Sequence, residues 1–182
     1  MAIDNIGVWR STFNALPKVL NKSWAAAFAT WVDDRVTGKA QLTGITTATP
    51  PFTFSKSTFQ AQLEALKVTS ISAIGGNNFG TAWEAAINAS LTLTVVAGDF
   101  TAPGDATTWS SVTLAEIDAP SVLAAKAALI AALTNSNKCN NTANSDFPKS
   151  FRDAFLMLTG SVTGMNSLPI PTPFDVLLVP LM

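Results

Sequence analysis

The sequence contains no histidine, and the groups singled out for chemistry are carboxylates, one thiol and backbone amides. That absence removes Ser-His-Asp and Cys-His arrangements, histidine zinc sites and the usual general base. Asp33 and Asp34 stand beside Arg35, but neighbouring helical residues do not share a face, so they make a poor carboxylate pair. The expectation there is a solvated helix end. Asp99, Asp105, Glu116 and Asp118 are spread through a connecting region, with nothing of a calcium loop in their spacing. A hydrolase would use carboxylates such as Glu116 and Asp118. Cys139 is the only cysteine and lies in the polar run "TNSNKCNNTANSD", which excludes an internal disulfide and leaves a thiol with no histidine to activate it. "GGNN" at Gly75–Asn78 precedes a helical pattern. Without a Walker lysine or a dinucleotide fingerprint it reads as a turn rather than an anion cradle. No catalytic, metal or cofactor-binding residue is nominated, and no cofactor is expected.

Composition points away from charged ligands. Lys and Arg number 11, Asp and Glu 12, and charged residues make up 13% of the chain, about half the usual ~25%. A folded chain of this size exposes roughly 8,400 Å², so much of its surface must be uncharged. Extensive uncharged surface is what a partner covers. The basic residues are scattered singly, and no nucleic acid partner is expected. The start "MAIDNIGVWR" has neither the basic flank nor the apolar core of a signal peptide. The uncharged run from Ala154 to Phe174 is broken by glycines and prolines, a poor membrane span. The expectation is a soluble chain that is neither exported nor inserted in a membrane.

The elements carry a repeated phrase. "LNKSWAAAF" from Leu20, "FGTAWEAAI" from Phe79 and "FPKSFRDAF" from Phe147 align position by position. Leu20, Trp24, Ala27 and Phe28 correspond to Phe79, Trp83, Ala86 and Ile87, and to Phe147, Phe151, Ala154 and Phe155. The spacing i, i+4, i+7, i+8 is one face of an α-helix. The first stripe continues through Trp31, Val32 and Arg35. Each copy runs on to Val-Thr-Gly or Val-Ala-Gly, ending at Gly38, Gly98 and Gly164, where a glycine suits a helix C-terminus. The rings and alanines read as buried helix faces rather than ligand platforms.

A second phrase precedes the first. "STFNA" at Ser11–Ala15 nearly repeats as "STFQA" at Ser57–Ala61, with Ser57 and Gln60 spaced as a capping box. Its third counterpart is "DAPSVLAAKAALIAALTN", with Asp118 as N-cap and Pro120 in the first turn. Thr81 and Glu84 offer another capping box, which would start the second long helix at Thr81. The prediction is a single domain over 1–182, mostly α, with about six helices in a threefold helix-pair repeat. Long Thr/Pro loops connect them, and a few short strands are expected at "KVTSISAI" and "SSVTLAEI". "LTLTV" at Leu91–Val95 also reads as a strand. The alternative architecture is α+β.

The chain ends "LPIPTPFDVLLVPLM". Alternating prolines stop a helix and favour an extended path, which predicts an extended, Pro-rich, apolar C-terminal arm over 165–182. Phe174, Val176, Leu177, Leu178, Val179, Leu181 and Met182 are the candidate assembly contacts. Burying one such side chain is worth roughly 1.5–3 kcal/mol, so the arm must pack, either on its own domain as an edge strand or on a neighbouring subunit.

"NNFGTAWEAAINASLTLTV" and "FPKSFRDAFLMLTGSVTGMNSLPIPTP" resemble the small proteins found among tailed-bacteriophage structural genes. That resemblance implies a virion component of the tail, neck or baseplate, made in the host cytoplasm. It would pack with copies of itself and with other virion proteins. A capsid decoration protein is the nearest alternative. A tail-associated hydrolase using Glu116 and Asp118, or a host-binding module presenting Trp109, are the alternatives from other classes.

Overall fold

In the computed structural model, residues 3–16, 22–37, 53–66, 73–90, 109–134, 146–166 and 173–180 are described. The first copy of the aromatic phrase forms α2 (Lys22–Val36), the second lies in α4 (Ala73–Asn88) and the third in α6 (Asp146–Leu156). Each is preceded by a partner helix: α1 (Ile6–Phe13), α3 (Lys56–Ala65) and α5 (Ala119–Thr134). Each helix packs on the next, and α6 returns to α1. The six therefore close a ring of three consecutive pairs, and the mostly α architecture follows.

The aromatic phrases fill the middle of that ring. Trp24, Phe28, Phe79, Trp83, Phe147, Phe151 and Phe155 are all buried, as are Ala86, Ile87 and Ala154. Ala27 is half-buried and Leu20 lies outside the described residues. The Phe28 ring centroid lies 5.6 Å from that of Phe79 and 5.8 Å from that of Phe147, and Phe79 is 5.5 Å from Phe147. Trp83 meets Phe155 at 5.6 Å. These are attractive tilted and edge-to-face distances. The partner helices close the shell with Trp9, Phe59, Leu63, Leu129 and Leu133.

Helix ends differ from the sequence expectation in several places. Asn5 caps α1 through Oδ1, which accepts from Val8 N at 3.2 Å, so Ser11–Phe13 form the last turn of α1. The N-cap of α3 is Ser55, not Ser57. Gln60 bonds Glu64 instead of reaching back, and the capping box does not form. Helix α4 begins at Ala73, well before Thr81, and runs through "GGNN", which is neither a turn nor a cap. The cause is the neighbouring helix. A Cβ on Gly80 would sit 2.4 Å from Ile130 Cγ1, and one on Gly76 3.1 Å from Thr134 Oγ1. Glycines four apart let α4 and α5 approach at short range. Asn78 Nδ2 meanwhile donates to Leu66 O at 3.3 Å, satisfying a carbonyl at the end of α3.

Among the described residues three strands accompany the ring: β1 (Trp109–Ile117), β2 (Thr159–Asn166) and β3 (Pro173–Pro180). They form one antiparallel sheet in the order β1-β2-β3. "SSVTLAEI" is thus a strand as expected. Of "KVTSISAI", Ala73 and Ile74 are helical, and the rest lies outside the described residues, as do Leu91–Val95, Gly38 and Gly98. The third glycine ending is also corrected: α6 stops at Leu156 and Val162–Gly164 belong to β2. The expected arm over 165–182 is, where described, sheet: β2 runs to Asn166 and β3 occupies 173–180.

The sheet is pinned to the ring where β1 gives way to α5. Asp118 N donates to Thr159 O at 2.8 Å, and Thr159 N donates to Ser121 Oγ at 3.1 Å. Asp118 Oδ2 accepts from Ser121 N at 3.0 Å, the N-cap expected from the sequence. Among the described residues no helix is long and apolar enough to cross a membrane.

Candidate functional site

Two of the candidate carboxylates, Asp33 and Asp118, are engaged in joining or capping elements. Asp33 is half-buried rather than solvated. Its Oδ1 accepts from Thr37 Oγ1, which itself accepts from Phe54 N at 2.9 Å, and Lys56 Nζ stands 3.8 Å from its Oδ2. That set fastens the end of α2 to the start of α3. Arg35 Nη1 lies 3.4 Å from Asp4 Oδ2, and Arg152 Nε donates to Asp4 O at 3.0 Å. Two arginines from α2 and α6 thereby hold the segment preceding α1.

Asp118 spends its carboxylate on the cap of α5, a poor position for a general base. Glu116 stands in register with Ser161 in the sheet. Asp99, Asp105 and Cys139 lie outside the described residues. Among the described residues no group of three or more metal-binding side chains comes together. Trp109, the candidate binding platform, opens β1 opposite Asn166.

A hollow of about 250 Å³ lies between α5 and α6. Ala128, Leu129 and Ala132 line one side and Ser150, Ala154 and Met157 the other, with Lys149 and Asp153 also lining it. Those two charges pair with each other along α6. The volume falls below the roughly 300–1,000 Å³ of small-molecule pockets.

Five of the seven assembly candidates, Phe174, Val176, Leu177, Leu178 and Val179, fall in β3. Their strand runs antiparallel to β2, with Phe174 opposite Gly164, Val176 opposite Val162 and Val179 opposite Gly160. Leu177 and Leu178 together face the single Ser161, so β3 carries a bulge there. Of the two packing modes open from the sequence, the structure has the edge strand on the chain's own sheet. Leu181 and Met182 lie outside the described residues. The sheet order leaves β1 and β3 as outer strands, each with one edge unpaired by any other described strand.

No family model, curated protein or solved structure matches this chain.

One surface went unnoticed in the sequence. The exposed positions of α5 include Leu123, Ala124, Ala127, Ala128 and Ala131, with Leu123 59% exposed. Lys126 is the helix's only charged residue, and it turns to Glu84 of α4 at 2.5 Å. The outer face of α5 is therefore uncharged along its length. The signal was present in "PSVLAAKAALIAAL", which is apolar on every side of the helix rather than on one stripe, a pattern belonging to helices with neighbours all round.

Proposed function

We propose that this protein is a non-enzymatic structural subunit of a large symmetric assembly, a phage virion component of the tail, neck or baseplate. It acts by packing against copies of itself and other virion proteins. The observation that carries this reading is β3, an almost wholly apolar strand at the outside of a three-stranded sheet. Outer strands of monomeric proteins are normally guarded by lysines or short length, because unpaired backbone groups invite a further strand. The interior of β3 has neither proline nor lysine, and its one charge is Asp175. The sparse charge of the chain and the uncharged outer face of α5 support the same reading. The engagement of Asp118 in a helix cap weighs against the hydrolase alternative.

The test is the mass of the purified full chain by light scattering over a concentration series, with class averages from electron microscopy. A discrete ring, tube or other symmetric particle is expected. A 19.1 kDa monomer at every concentration overturns the proposal.

A further inference from the structure

We draw no further inference here: the strongest candidate, the uncharged outer face of α5 from Leu123 to Ala131, is an unpartnered apolar helix face, and nothing in the structure shows what covers it.

Discussion

The rings of Phe28 and Phe151 meet edge to face, with centroids 5.2 Å apart and planes at 80°. One belongs to the first aromatic phrase and the other to the third, so this contact joins distant parts of the chain across the middle of the ring. Truncating either ring leaves a cavity that its neighbours, themselves fully buried rings, cannot fill. Phe28→Ala and Phe151→Ala are each expected to cost about 3–5 kcal/mol. The double variant should lose less than the sum, by the roughly 0.5–1.5 kcal/mol of an aromatic pair. Urea unfolding of the four proteins measures this, and strict additivity would mean the rings do not touch.

Trp83 separates volume from hydrogen bonding. It is fully buried, and its Nε1 has no hydrogen-bond partner among the described residues. A buried unpaired donor costs about 1–3 kcal/mol, so much of the indole's value is its size. Trp83→Ala should lose about 3–5 kcal/mol. Trp83→Phe, which removes the orphan donor and keeps a ring, should stay within about 1.5 kcal/mol of the parent. Equal damage from both substitutions would show that the N–H is held after all.

Gly80 tests whether α4 and α5 need their close approach. Alanine gains about 1 kcal/mol over glycine in a helix, so an unobstructed site would be stabilised. Here the added methyl meets Ile130 Cγ1 and Cδ1, at 2.4 and 2.8 Å. Overpacking costs about 1–3 kcal/mol, and the expected net result is a loss of about 1 kcal/mol. Combined with Ile130→Ala, which removes the obstructing atoms, the two losses should be less than additive. A more stable Gly80→Ala protein rules out the close packing.

The contrast between Gly80 and the aromatic phrases shows what was legible. The i, i+4, i+7, i+8 stripes were readable because burial of Phe79, Trp83, Phe147 and Phe151 follows from helical period alone. Asp118 was readable because an N-cap depends only on the next few residues. "GGNN" reads as a turn in the sequence because the role of Gly76 is set by α5, more than forty residues away, and no local rule contains that neighbour. Ser57 and Gln60 have capping-box spacing, yet the helix starts two residues earlier, at Lys56 behind Ser55. For the candidate surface, the apolar character of residues 174–182 was plain. The pairing of β3 with β2 depends on a non-local register and stays open in the sequence.

Asp118 joins helix and sheet, so its replacement should be felt in both. Asp118→Ala removes the acceptor for Ser121 N and should cost about 1 kcal/mol, within the usual range of ~0.5–2 for a lost cap. Asp118→Asn keeps an acceptor oxygen and should recover most of it. Thermal unfolding followed by circular dichroism distinguishes the two. If Asp118→Asn is as damaging as Asp118→Ala, the carboxylate charge at the helix N-terminus matters in its own right.

Removing residues 174–182 separates assembly from folding. The ring of helices has its own aromatic core, drawn from α1, α2, α3, α4 and α6. The described links between ring and sheet run through Ile117, Asp118, Ser121 and Thr159, none of which is in β3. The truncated chain should therefore keep its helical circular dichroism and a buried tryptophan emission, while particle mass falls. Truncation also turns β2 into an outer strand, which can invite non-specific pairing. Leu178→Lys in the full chain is the cleaner companion: it keeps the strand and adds the charge with which outer strands are usually guarded. Loss of helical signal in the truncated chain would make β3 part of the fold's foundation. Unchanged particle mass in both variants would take β3 out of the assembly altogether.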